Sequence, residues 1–210
     1  MANSEHLAEL RRPEALAVSG RDNRPVKQHC RRTAKFAMKP AVLALAVGAF
    51  MLEACSPTLD WREVQPQGSS VKLLFPCKPA THARTLMLAG EPTAVALHVC
   101  DADGLTWALT VASVGDPRRV TRALQELRGA AAANVQASGA PLKPQVVRGA
   151  TPNEQSGSVQ IQGRRPDGQV VQQSLLVFAQ GLQVYAAAVL GPTVTDEVTQ
   201  AFFTSIRIVP

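Results

Sequence analysis

The sequence predicts an α+β domain, in which one long and one C-terminal helix pack on a single twisted antiparallel β-sheet. Turn signals at Asp103-Gly104, Pro166-Asp167-Gly168 and Gln180-Gly181 separate β-leaning runs, and connections this short require antiparallel pairing. Apolar residues recur at helical spacing after Asp116-Pro117. The chain has 210 residues and is 46% apolar, which is enough for one domain with its own core.

The strands follow from apolar or β-branched runs that end at Gly, Pro or Asp. Gly104 is expected to take a positive φ in the turn that begins at Asp101. Trp61 and Val64 could add a first edge strand within a tether at 55–70. The strands are predicted at 71–75, 81–89, 93–100, 105–114, 145–148, 158–164, 170–179 and 183–190.

Two helices complete the domain, which is expected to span 60–210. The first begins with Asp116 as N-cap and Pro117 at the first helical position, and Gly139 and Pro141 are expected to end it. The second is predicted at 195–205. Their apolar stripes comprise Val120, Leu124, Leu127, Ala131 and Val135 in the first, and Val198, Ala201, Phe202 and Ile206 in the second.

Residues 1–54 read as a leader. The run 41–52, AVLALAVGAFML, has no charge and follows four basic residues, as in a signal peptide, and it is shorter than a membrane-spanning helix requires. The signal peptide itself is assigned to 26–54. Residues 1–25 carry no export pattern, and we expect translation to begin nearer Val26 or Met38.

The leader ends in Leu52-Glu53-Ala54-Cys55, which resembles a bacterial lipobox. The resemblance implies lipid transfer to the sulfur of Cys55 and cleavage before that residue, although Glu53 departs from the usual small uncharged residue. Ser56 resembles the sorting signal of outer-membrane lipoproteins. The alternatives are an ordinary signal peptide or an uncleaved anchor, with Cys55 incidental.

The basic charge is concentrated in the leader. Residues 1–54 hold nine Lys or Arg and five acidic residues, a net +4 of the chain's +6. Residues 55–210 are therefore nearly neutral, which argues against nucleic-acid binding. Four arginines on the long helix read as a solvated face, with contact to anionic lipid or an acidic partner as the alternative: Arg118, Arg119, Arg122 and Arg128.

Cys77 and Cys100 are the two remaining thiols of the exported domain. An oxidising compartment favours a disulfide between them, and closing a loop of about 24 residues would contribute roughly 3 kcal/mol. The alternative is two buried free cysteines. A zinc site with His82 and His98 is disfavoured because the spacing lacks a clustered ligand motif.

No catalytic motif emerges from the domain sequence, and no cofactor is expected. The carboxylates that could serve as acid or base are predicted to lie in turns or helix caps: Asp101, Asp103, Asp116 and Asp167. Asp101-Ala102-Asp103-Gly104 lacks the ligand series of a calcium loop.

Several segments resemble the PsbP-like family: FPCKP at 75–79, the Ala-rich helix, SLLVFAQGLQVYAAAVLG at 174–191 and AFFTSIRIV at 201–209. The resemblance covers about residues 60–210. It implies a protein-binding role, because known members mostly bind other proteins and share no catalytic residues.

The sequence therefore predicts a lipid-anchored envelope lipoprotein on the periplasmic face of the outer membrane. Its expected role is non-enzymatic, either binding or supporting another envelope protein. The rival hypothesis is a small-ligand carrier or enzyme with a cleft between sheet and helix.

Overall fold

The computed structural model describes residues 59–209, which form a single α+β domain. The strands are β1 (Arg62–Val64), β2 (Val71–Phe75), β3 (Ala80–Leu88), β4 (Glu91–Ala102), β5 (Leu105–Ser113), β6 (Gly157–Arg164), β7 (Val170–Gln180), β8 (Gln183–Gly191) and β9 (Arg207–Ile208). The helices are α1 (Pro117–Asn134) and α2 (Asp196–Ser205). The predicted α+β class is confirmed.

The strands form two antiparallel sheets, so the prediction of a single sheet is wrong. The larger has six strands in the order β3-β4-β5-β8-β7-β6, and the smaller has three in the order β1-β2-β9. The chain's end returns to pair with β2 because Ile206 packs in the core beside Phe202 and brings Arg207 next to Lys72.

The central strands are buried on both faces, because α1 covers them on one side and α2 with β2 covers them on the other. Alternate residues of β7 enter different cores: Leu175 and Val177 pack with α1, whereas Leu176 and Phe178 pack with α2 and β2. Such two-sided burial explains the near-continuous apolar runs of β7 and β8.

Two-residue turns fix the register of the hairpins. In each of the turns Ala89-Gly90 and Asp103-Gly104, both residues have a positive φ. This backbone conformation matches the twist of the two strands that a tight hairpin joins. Gly104 has the expected positive φ. The first turn lies before Glu91, so β4 begins earlier than predicted and contains Pro92.

α1 begins as predicted but ends earlier. The Asp116 side chain accepts a hydrogen bond from the Arg118 backbone N–H at 2.9 Å, which is the expected N-cap. The helix stops at Asn134 rather than near Gly139 because the Val135 carbonyl leaves the helix and accepts from Arg164 N–H at 2.7 Å.

The predicted strand at 145–148 is wrong. This segment belongs to the irregular chain between α1 and β6, and it contributes only an isolated bridge between Arg148 and Arg207. Val147 is buried and Val146 is 94% exposed, but apart from the bridge at Arg148 no residue of 145–148 pairs with a strand.

The second helix has the predicted bounds, with Thr195 as its N-cap, but its predicted apolar stripe is wrong in part. Phe202 and Ile206 are buried, whereas Val198 and Ala201 are exposed and Phe203 is buried in their place.

Candidate functional site

The structure joins Cys77, after β2, to Cys100, on β4, with their sulfurs 2.09 Å apart. The link connects the small sheet to the large one. Cys100 is buried in the same cluster as Trp107, whose ring lies edge-on to Trp61 at 5.7 Å between centroids. The pair therefore secures the N-terminal segment of the described chain to the core.

His82 and His98 occupy different environments. His98 is buried, and its Nδ1 lies 3.0 Å from the Thr81 hydroxyl, while burial lowers the pKa of His98. His82 is exposed on β3 and directly follows Thr81. Within residues 59–209, no group of three or more His, Cys, Asp or Glu side chains is arranged to hold a metal ion.

The carboxylates singled out from the sequence serve turns and a cap. Asp101 accepts from the Thr106 hydroxyl at 2.6 Å, and Asp167 accepts from Gln169 N–H at 3.0 Å. Hydrogen bonds from Arg118 lower the pKa of Asp116, the cap of α1. Asp103 lies in the β4–β5 turn with positive φ. Each of these acids thus lies in or beside a turn, or caps a helix.

The arginines of α1 differ from one another. Arg118 is almost fully exposed, as predicted, but the Arg119 guanidinium is part-buried and donates to three backbone carbonyls, those of Leu88, Ala89 and Val114. Arg128 donates to the Gln155 side chain at 3.0 Å. Arg119 and Arg128 thus attach α1 to the rest of the domain rather than forming a solvated face.

A polar cleft of 520 Å³ lies between α2, the β6–β7 edge of the sheet and the segment 143–145. Ser174 lines it although this residue is only 2% exposed, and Gln160 Nε2 donates to Asp196 Oδ1 at 2.9 Å across it. The walls carry hydroxyl, amide and carboxylate groups together with Phe203 and Lys143. Such a mixture could orient a small polar molecule, but it does not include His82 or His98.

The most open feature of the fold is β3. Eight of its nine residues, from Ala80 to Met87, are exposed, and only Leu88 is buried. β3 is the terminal strand of the six-stranded sheet, and its outer edge pairs with no other segment of the described chain. Leu86 and Met87 expose 37% and 67% of their surface.

The other edge of the sheet is protected. Lys143 exchanges backbone hydrogen bonds with Ser158 at 2.8 and 2.9 Å, and Arg164 N–H is bonded to Val135, so the loop after α1 covers both ends of β6. Within residues 59–209, no segment covers β3 in this way. An open, nine-residue edge is a template for an added strand, and it forms our candidate functional site.

Sequence reasoning placed β3 at 81–89 but missed that it lies at the edge. The signal was available in its composition, ATHARTLML, which puts polar residues on both faces, unlike the buried β7.

The proposed lipidation motif, Leu52, Glu53, Ala54 and Cys55, lies outside the described residues. Among residues 59–209, no helix is both long and apolar enough to cross a membrane. No protein-family model matches the chain, and a search of curated proteins finds no significant match.

Proposed function

We propose that this chain is a lipid-anchored lipoprotein of the bacterial cell envelope that binds another envelope protein through the open edge of β3. Cys55 carries the lipid and places the domain on the periplasmic face of the outer membrane. The role is that of a non-enzymatic accessory module, and the fold is of the PsbP-like kind. The uncovered β3 edge is the observation that carries the proposal.

The anchor is supported by the lipobox resemblance at 52–55 and by the cysteine pair. Paired cysteines persist in exported proteins, whereas cytosolic reductants keep thiols reduced. The PsbP-like assignment is supported by a central antiparallel sheet with the long helix α1 on one face and the terminal helix α2 on the other.

The intact mass of the chain extracted from membranes tests the anchor. We expect a polypeptide that begins at Cys55, carries acyl chains and lacks the two hydrogens of a Cys77–Cys100 dithiol. Cys55→Ser is the control and should lose both the acyl mass and the membrane fraction. A wild-type chain that is soluble, unmodified and still carries residues 1–54 would refute the anchor.

Site-specific photo-crosslinking in intact cells tests the binding role. A photo-reactive residue at Thr85, on the open edge, should capture a discrete partner, and the same residue at Val146, which is 94% exposed elsewhere, should not. Ala83→Pro should abolish the Thr85 product because proline removes a backbone donor from the edge. Equal products at both positions, or none at Thr85, would refute the role of β3.

The cleft beside α2 favours a second function, that of a small-ligand carrier. The buried Ser174 on its wall and the surrounding amides suit a neutral polyhydroxyl compound such as a sugar. Chemical-shift changes on adding glucose or a short oligosaccharide should then be confined to Gln160, Ser174 and Gln200, and Ser174→Val should remove them. Shifts that are absent or spread over the surface would refute this function.

A further inference from the structure

We propose that the occupant of the β3 edge is an extended protein segment with acidic side chains at its centre, selected by Arg84, which at the same time disfavours a second copy of this chain. The inference rests on the proposed binding role of β3 and adds the chemistry of the partner.

The register of the hairpin shows which backbone groups are free. Leu88 and Glu91 close the two-residue turn, so they exchange both backbone hydrogen bonds. Alternate residues of β3, from Leu86 back to Ala80, therefore bond to β4. The N–H and C=O groups that point outward belong to Thr81, Ala83, Thr85 and Met87.

The charge along this edge has one sign. Between Lys78 and Gly90 the charged side chains are Lys78 and Arg84, and there is no acidic residue. Arg84 is the central residue of β3 and lies opposite the neutral Val95 of β4. An added strand would thus meet an unneutralised guanidinium midway along its length.

The nearby carboxylates lie at the ends of the hairpin. Glu91 follows the turn, and Asp101, near the far end of β4, is bonded to Thr106. Glu126 of α1 already accepts from Ala89 N–H at 2.5 Å and from Arg122 at 2.7 Å. Burial by itself would raise the pKa of Glu126, but these hydrogen bonds lower it. The carboxylate therefore stays charged and bonded to the turn.

A second copy of β3 is a poor occupant. In antiparallel pairing of two β3 strands, the residues whose backbone groups point outward must face one another. When the two strands overlap along their whole length, Thr81 faces Met87 and Ala83 faces Thr85. Arg84 then faces Arg84 of the second copy. Like charges directly opposite each other destabilise a sheet. A glutamate or aspartate at the same position would instead pair with Arg84.

The two ends of the β3 edge favour different side chains in the partner segment. Leu86 and Met87 are exposed apolar residues on opposite faces of the strand near the turn, whereas Thr81, Ala83 and Thr85 are small. The partner segment is therefore apolar where it passes Leu86 and Met87, and acidic where it passes Arg84.

The test uses the full chain extracted from membranes and two synthetic nine-residue peptides. Both peptides alternate valine and threonine, and their central residues are glutamates in one and lysines in the other. We expect the acidic peptide to bind about tenfold more tightly than the basic one at low salt, with the preference shrinking as salt is added. Arg84→Glu should reverse the preference.

Hydrogen exchange identifies the mode of binding without any variant. The acidic peptide should protect the amides of Thr81, Ala83, Thr85 and Met87, while the amides of Arg84 and Leu86 are protected already by β4. Thr85→Pro should weaken binding of either peptide at least about tenfold because it removes an outward donor, and Thr85→Val should not.

The outcomes separate this inference from the proposed function. Equal affinity for both peptides, or no binding of the acidic one, overturns the acidic partner, whereas the binding role stands as long as Thr85 still crosslinks in cells. Binding without protection of the four outward amides overturns strand addition. Protection of those amides in a dimer without peptide would show that the occupant is a second copy.

Discussion

The Arg119 side chain, in the first turn of α1, donates from Nη2 to the carbonyl oxygen of Leu88 at 2.6 Å. The same guanidinium reaches Val114 O at 2.6 Å and Ala89 O at 3.2 Å. One side chain thus ties the start of α1 to the end of β3 and to the chain after β5. Together with the bond from Ala89 N–H to Glu126, these contacts hold the β3–β4 turn against α1.

Arg119→Ala is expected to lower the free energy of unfolding by about 2–3 kcal/mol, because part-buried carbonyls lose their donors and the charged hydrogen bonds are strong. Urea denaturation measures the loss. Arg118→Ala is the matched control, since that neighbouring side chain is 90% exposed, and it should cost less than about 1 kcal/mol. Similar losses in the two variants would contradict the role assigned to Arg119.

The Cys77–Cys100 link closes a loop with a sequence separation of 23 residues. On loop length alone, reduction should lower the free energy of unfolding by about 3 kcal/mol. Urea denaturation with and without dithiothreitol measures the difference. Cys77→Ala with Cys100→Ala should be less stable from the start and should not respond to the reductant. A wild-type chain indifferent to reductant would show that the thiols are free.

Tyr185 is the chain's one tyrosine, and it is fully buried against Phe178, with its hydroxyl 3.1 Å from the Ser69 hydroxyl. Burial raises the pKa of Tyr185 above its ordinary value of about 10, although bonds from Ser69 and Ser70 partly oppose it. The folded state therefore holds the phenol proton more tightly than the unfolded state does. The stabilisation that comes from this tighter binding of the Tyr185 proton is present below pH about 10, and it is lost as the pH rises through the folded pKa.

Ultraviolet absorbance of the phenolate should accordingly show a single titration above pH about 10 in the folded protein, and one near 10 in urea. Tyr185→Phe should cost about 1–2 kcal/mol at neutral pH, because the Ser69 and Gln183 groups lose a partner. The difference in stability between wild type and variant should shrink at alkaline pH. A constant difference would contradict the linkage.

Local sequence signals predicted most elements, since turns and caps are decided by a few neighbouring residues. Asp103-Gly104 and Asp116-Pro117 lie where their chemistry indicates. The division into two sheets could not be predicted, because the pairing of Val71 with Ile208 joins segments far apart in sequence and depends on how Phe202 packs. The end of α1 was predicted wrongly for the same reason, because it depends on the hydrogen bond from Arg164 N–H to the Val135 carbonyl.

The candidate site was the least predictable part. Residues 81–89 and 93–100 both read as strands, and the polar residues on both faces of 81–89 were the one local sign of an edge position. Exposure of Thr81 to Met87 follows from where α1 and α2 lie, which is a tertiary property. The cysteine pair was easier to predict, because residues 59–209 contain only two cysteines.

Gly163, on β6, allows the close approach of the chain that leaves α1. A Cβ at this position would lie 2.1 Å from the Val135 carbonyl oxygen, which also accepts the Arg164 bond. Backbone must therefore shift, and Gly163→Ala is expected to destabilise the domain by about 2–3 kcal/mol. The amide of Arg164 should exchange faster, because its acceptor is displaced.

Gly129 provides the matched control within the same part of the fold. It lies in the interior of α1, and a Cβ there meets nothing within 4 Å. Gly129→Ala should stabilise the domain by about 0.5–1 kcal/mol, since alanine loses less conformational freedom in a helix. Urea denaturation of both variants measures the contrast. A loss in both would mean that alanine is tolerated poorly throughout this region, and the close contact with Val135 would not be the cause.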